Sequence, residues 1–431
     1  MKKVLAILMC LLMAFTLEAC TTPEQEVVDE GFKPSLDTNS EGKIVVAGSY
    51  NNFESLEAIF DDFNEYYPNI ELSYVKIDDY NNQISVVLTG NDAPNIYTAN
   101  SWMNGRDNYA EVFNHAENLA DESLGFNVDI FRPWLLNYQE DGSLPMVPVF
   151  ATTNGILINN NIFEKEGLEI PTTYSEFVAV CEAFKEKGYA SPIMGYIPSE
   201  NKSSALFSFS NTLFYKTLSD SEDGVTKANN MDSSAGVYMK DALNIANDLV
   251  EKGYLNIEEC KKMEDNYNQV ILRFFEGDVP MMIASGDTVS GTAKRESQSE
   301  AFSANPFSYS FIAAPVSEDG AYLLDDPNLQ FAVNKECENL DMTNEFMRFL
   351  LSTEEMNKIA AIKRMITTTK DLSYDSVFAP LSNIPSENIL SSDGLGIKDD
   401  VTGQYRAAVY RAIIEKSMTI DEVISQFGSL K

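Results

Sequence analysis

Strand, helix and strand follow one another at the start of the folded sequence, and that order leaves few architectures open. Ile44-Val45-Val46-Ala47 reads as a short buried strand. Phe53, Leu56, Ile59, Phe60, Phe63 and Tyr67 then recur at helical spacing until Pro68 stops the helix, and Ile70 to Val75 returns as an alternating strand. A further helix ending at Gly90 leads into Ile96-Tyr97-Thr98. Such units join parallel strands through a crossover helix, so a parallel α/β sheet is expected. The alternation resumes in mid-chain. Thr173 and Glu176 form a capping box before the inward face Phe177, Val180, Cys181 and Phe184, and Lys187-Gly188 closes that helix. Ser352 and Glu355 repeat the device before Met356, Ile359 and Ala360. With 431 residues, 44% of them hydrophobic, the chain exceeds what one core usually supports. Two α/β lobes are expected, followed by a helical C-terminal region ending around Ile420 to Phe427.

The N-terminus reads as an export signal. Lys2 and Lys3 precede an apolar run from Val4 to Phe15 that is short for a membrane span, and Leu17-Glu18-Ala19-Cys20 follows. A cysteine after a small residue at that point reads as a lipoprotein site, where the Cys20 thiol takes a two-chain lipid that anchors far better than one chain. A plain secretory signal is the alternative. Residues 21–42, rich in Thr, Glu, Pro, Ser and Asp, read as a disordered tether. The expected divisions are a signal peptide at 1–19, the acylated cysteine and tether at 20–42, one lobe from 43–150 and 312–364, and a second from 151–311 and 365–431. The body would then lie outside the cytoplasm, anchored to the outer face of the membrane.

Charge and composition exclude several functions. A formal charge of −35 repels phosphate backbones, so nucleic acid is not an expected partner, while cations such as polyamines stay open as ligands. Cys181, Cys260 and Cys337 are an odd, widely spaced set, which argues against a disulfide scaffold; Cys181 reads as a buried small hydrophobe. The only histidine, His115, reads as a surface helix residue, and no zinc site with two histidines can form. No G-x-S-x-G, H-E-x-x-H, Walker or dinucleotide glycine pattern occurs. Carboxylate pairs such as Asp325-Asp326 and Asp399-Asp400 carry little information among 66 acidic residues. Catalysis, cofactors and metals are therefore not expected.

Two segments carry a resemblance. Gly277 to Gly286, containing Met281-Met282-Ile283-Ala284, and Asn154 to Phe163 are similar to signature runs of the family 1 extracellular solute-binding proteins of ABC importers. Gly90-Asn91-Asp92-Ala93-Pro94-Asn95-Ile96, Leu144 to Pro148, Ala314-Pro315 and Asn344 to Leu350 fall in the family's order from about Lys43 to the C-terminus. The departures are Asn95 for a common Asp, Ile158 for Tyr and Pro280 for Ala. The resemblance implies a bilobal, type II periplasmic-binding-protein fold, with a multi-crossover hinge near Val149–Thr152, Phe311–Ala314 and residues 361–368. It also implies a ligand held between the lobes and delivery to the transmembrane subunits of a permease. A monomer is expected.

A pyranose needs aromatic faces to stack on and paired donors and acceptors for its hydroxyls. The positions that the resemblance offers are Tyr50 and Asn51 after the first strand, and Asn100, Ser101 and Trp102 after the third. Phe150, Thr152 and Asn154 lie at the first crossover, Phe214 and Tyr215 in the second lobe, Asp287 after the Met-Met segment, and Arg364 beside the last crossover. Tyr50 and Asn51 could equally serve as a helix cap, Phe214 and Tyr215 sit in an apolar stretch where packing competes, and Trp134 reads as core. Asp287 in place of an aromatic suggests a different sugar or a cation. The expected ligand is a mono- or oligosaccharide; a polyamine in the same fold is the alternative, and a surface glycan-processing enzyme or adhesin the third.

Overall fold

In the computed structural model, residues 31–104, 106–263, 267–371 and 375–430 are described. The expected signal at 1–19 and Cys20 lie outside them. Among the described residues no helix is long and apolar enough to cross a membrane.

The opening unit forms as its periodicity demands. β1 (Gly42–Gly48), α1 (Glu54–Tyr66) and β2 (Ile70–Lys76) follow in order, with β1 and β2 parallel and in register from Gly42 against Ile70. α1 turns Leu56, Ile59, Phe60 and Phe63 inward. α2 (Tyr80–Leu88) leads to β3 (Ile96–Ala99), parallel to β1. Asn95 explains its departure from Asp. Its Oδ1 accepts from Val45 N at 2.9 Å while its Nδ2 donates to Glu338 O and Thr343 Oγ1, and a carboxylate could not donate.

β4 (Val147–Thr152) ends in the first sheet and β5 (Asn154–Asn159) begins in the second, so the first crossing falls at Thr153, just past the expected Val149–Thr152. The second sheet gathers α3 (Tyr174–Glu186), β6 (Ile193–Gly195), α4 (Ala205–Ser219), β7 (Met281–Ser285), α5 (Gly286–Ser290), β8 (Tyr309–Ser317) and β9 (Gly320–Leu324). The chain then returns at Asp325 into β10 (Asp326–Val333). α6 (Leu340–Leu350) and α7 (Thr353–Lys363) follow, the latter packing on α1. β11 (Ile389–Leu390), α8 (Asp399–Val409) and α9 (Ile420–Ser425) complete the second side.

The strand orders are β2-β1-β3-β10-β4 and β11-β9-β8-β5-β7-β6. Neither sheet is all parallel: β10 runs against β3 and β4, and β5 against β7 and β8, because each is a strand returning across the hinge. The crossing expected near Phe311–Ala314 is corrected: those residues sit inside β8, hydrogen-bonded to β5, and the return comes at Asp325. The last crossing also comes later than 361–368. Ile366 still bridges Ala151 and Thr369 bridges Phe131, and the chain then reaches Ser376–Asn383 against β8.

Two local expectations also change. The tether is ordered at its end, where Ser35 N and Oγ donate to the Glu345 carboxylate (2.7 and 2.6 Å) and Leu36 N donates to Tyr67 Oη (3.2 Å). Thr173 and Glu176 make the full capping box, whereas at α7 only the Ser352 hydroxyl acts, accepting from Glu355 N. Glu355 is instead buried beside Asp62, one carboxylate oxygen is unpartnered, and burial first, with Asp62 second, pushes it up to about 7. His115 sits at a helix C-terminus between Glu111 and Glu336, 3.3 Å from each, with its ring 15% exposed.

Candidate functional site

A cleft of about 370 Å³ lies where β5 and β7 of the second sheet, the N-terminal half of α4 and the start of β10 converge. Its position follows from local constraints. Gly286 N donates to Thr153 O at 2.9 Å, and a Cβ on Gly286 would come within 3.3 Å of Thr152 Oγ1, so glycine lets α5 close on the first crossing without displacing that side chain. Ser285 Oγ then accepts from Thr288 N and caps α5, which sets Asp287 at the cleft.

One wall is a polar face on an apolar helix. Ser204, Ser208, Asn211 and Tyr215 recur at spacings of four, three and four along α4 and all line the cleft, while Leu206, Phe209, Phe214 and Leu218 are buried. Asn154 Nδ2 donates to Asn211 Oδ1 at 3.2 Å, and Tyr215 Oη lies 2.8 Å from Thr402 Oγ1. Beside the start of α4, where Ala205 N donates to Tyr196 O at 2.7 Å, the lining carries an aromatic pair, Tyr196 and Tyr267, with ring centroids 4.1 Å apart and planes tilted by 31°. Tyr267 is 45% exposed. Desolvation, then Tyr196 and Asp287, push its hydroxyl up to about 12.

Carboxyls set the electrostatics. Asp326 accepts from Ser391 Oγ, Ser392 N and Ser392 Oγ at 2.7–2.9 Å, yet desolvation and then the charge of Asp393 push it up to about 7. Asp287 is open to the cleft by surface area but lies deep between its walls. Desolvation therefore leads and pushes it up to about 6, against Asn328 and Lys363, which lower it. Asp399 is raised by desolvation with Arg106 opposing. Lys363 stands 4.8 Å over the ring of Tyr50, and burial lowers its own ammonium. Near neutral pH Asp287 and Asp326 can offer both a donor and acceptors. The lining contains neither histidine nor cysteine.

The expected residues divide by position. Thr152, Asn154, Tyr215 and Asp287 line the cleft together. Tyr50 approaches from the first-sheet side closely enough for Asp287 to raise its hydroxyl, after desolvation, and its backbone N donates to Tyr74 Oη at 2.8 Å; Asn51 beside it is exposed. Asn100, Ser101 and Trp102 follow β3 outside the lining. Ser101 N and Oγ donate to Gln330 Oε1, and Trp102 packs edge-on against Tyr109 at 5.1 Å. Three assignments are corrected. Phe150 is wholly buried against Phe53, and Phe214 is wholly buried and stacked on Tyr405 at 4.6 Å, so both are core. Arg364 points to protein partners, its Nη1 within 3.0 Å of Thr292 Oγ1, Glu296 Oε1 and Tyr309 Oη. Trp134, expected in the core, packs partly buried with its indole N–H donated to Asp325 at 2.6 Å.

Asp326, Tyr196, Tyr267 and the serines of α4 were not anticipated. The α4 face had a readable signal, polar residues at helical spacing in an otherwise apolar run; Asp326 had none, being one of many acids.

Residues 47–357 match the family described as bacterial extracellular solute-binding protein. The melibiose/raffinose/stachyose-binding protein MelE of Bacillus subtilis (strain 168) is 25% identical over 126 residues, a match spanning 29% of this chain and only 28% of that relative's length. Among solved structures, the ligand-free form of RafE from Streptococcus pneumoniae superposes with a TM-score of 0.68 at 18% identity, covering 92% of this chain and 99% of that one. A sugar transporter of Bacillus licheniformis in complex with stachyose gives 0.62 at 16% identity, covering 90% of this chain and 100% of that one. These likenesses establish the bilobal α/β fold, and with the extent of the family match the conclusion is direct: the chain belongs to the bacterial extracellular solute-binding protein family.

Proposed function

We propose that this protein captures a mono- or oligosaccharide between its two sides and delivers it to the permease of an ABC importer, without chemical turnover. The observation that carries the reading is the cleft itself. The Tyr196–Tyr267 pair offers an aromatic face, and in the same lining Ser204, Ser208, Asn211, Asn154 and the two raised carboxyls offer the mixed donors and acceptors that a ring of hydroxyls requires. The sugar-binding names of MelE and of the stachyose complex support it. Closure around the ligand would couple binding to a shape that the permease recognises. The Leu17-Glu18-Ala19-Cys20 segment supports anchoring through a lipid on Cys20, and a Cys20→Ala variant is expected to be released from membranes.

The acids Asp287, Asp326 and Asp399 favour a second reading, a polyamine or other cationic solute in the same cleft. Thermal unfolding of residues 34–431 against a panel of saccharides and polyamines separates the two. A ligand at 100 times its dissociation constant adds about 2.7 kcal/mol, a readable shift of the midpoint. A shift with one saccharide class supports the first reading, a shift with polyamines alone replaces it by the second, and product formation from a glycan overturns both.

A further inference from the structure

Two cavities meet at one ion pair. Asp399 and Thr402 line the cleft and also bound a second, polar cavity of about 580 Å³, whose other walls include Arg106, Asn201, Gln404 and Arg406. Arg106 arrives from the first-sheet side with its guanidinium over the Trp102 ring at 5.4 Å, and its Nη2 lies 3.3 Å from Asp399 Oδ2. Asp399 is the first residue of α8 on the second-sheet side, so the pair spans the two sides at the boundary between the cavities. Its side chains are 44% and 52% exposed, so it holds with little energy and parts easily.

The second cavity is equipped for a polar ligand. Arg106, Asn201, Asp400, Thr402 and Arg406 on its lining supply the mixed donors and acceptors that saccharide hydroxyls pair with. The first cavity, at about 370 Å³, lies at the small end of ligand pockets.

Resting on the saccharide reading above, we infer that the second cavity is an extension subsite for a longer saccharide chain. The Arg106–Asp399 pair is the gate that decides whether a ligand ends in the first cavity or runs on into the second. With the pair closed, short saccharides fit without disturbing it, and each longer one must part it.

The test is calorimetric titration with a di- to pentasaccharide ladder of one linkage, using the class that gives the thermal shift. In R106A and D399A the ratio of tetrasaccharide to disaccharide affinity is expected to rise about two- to five-fold, the scale of an exposed pair. The double variant R106A/D399A should rise no further than either single one. On the unaltered protein, salt of about 1 M shortens the screening length to about 3 Å and should raise the same ratio, while leaving the double variant unmoved. N201A should lower the ratio. A ratio that ignores the pair, the salt and Asn201 overturns the gate while saccharide binding stands; no binding at any length overturns both the gate and the reading beneath it.

Discussion

Arg132 and Asp325 form a buried, two-point ion pair at the hinge, with Nε to Oδ2 at 2.6 Å, Nη2 to Oδ1 at 2.7 Å, and both side chains 3% exposed. Arg132 Nη1 also donates to Thr369 O at 2.8 Å and its backbone N to Thr368 O at 3.1 Å. One side chain thus ties the return at Asp325 to the last crossing. Removing one partner strands a buried charge, so Arg132→Met is expected to cost about 3–5 kcal/mol in urea unfolding, and R132M/D325L to recover part of it. Equal stability of the single and double variants would show that the pair is not what holds the hinge.

Tyr267 and Phe214 should separate binding from stability. Tyr267→Ala removes a half-exposed stacking face, and its saccharide affinity is expected to fall by about 2- to 10-fold, with the unfolding midpoint little changed. Phe214→Ala empties a core position and should cost about 3–5 kcal/mol of stability. Calorimetric titration and denaturant unfolding of both variants read the two effects apart.

Stability should fall as the medium becomes more alkaline. Asp287, Asp326 and Glu355 hold protons more tightly folded than unfolded, rising from 3.8, 3.8 and 4.5 to about 6, 7 and 7. Their contribution to stability is full below their unfolded values and is lost as pH rises through the folded ones, so the ligand-free midpoint should drop between about pH 4 and about pH 7. In D287N/D326N/E355Q that slope should flatten. A midpoint that rises over the same interval would contradict the assignment.

Gly155 admits no side chain. An added Cβ would lie 2.1 Å from Ile312 O and 2.7 Å from the Phe311 ring, and a backbone oxygen in the middle of β8 cannot move aside. Gly155→Ala is expected to lose about 3 kcal/mol, read as reduced soluble yield and a lower midpoint.

What could be read in advance depended on period. The alternation of β1, α1 and β2 and the Thr173–Glu176 box are local signals, and each lies where its residues imply. The pairing of β10 between β3 and β4 is a property of three distant segments and leaves no local mark. Adjacent residues show the same limit at the site. Phe214 turns into the core and Tyr215 toward the cleft because neighbours on a helix point about 100° apart, and nothing in the aromatic pair itself says which way each turns. Asp325 and Asp326 divide likewise, one to the Arg132 pair and one to the cleft.

The place of β10 also orders assembly in time. β4 has its partner in the first sheet only in β10, whereas β5, β6, β7 and β8 of the second sheet all precede β10 in the chain. As the polypeptide lengthens, the second sheet can knit together while Val147–Thr152 still waits with an unpaired, apolar edge. Non-local closure of this kind is slow and leaves exposed strand edges prone to aggregation. β4 is therefore made early and shielded from its neighbours late.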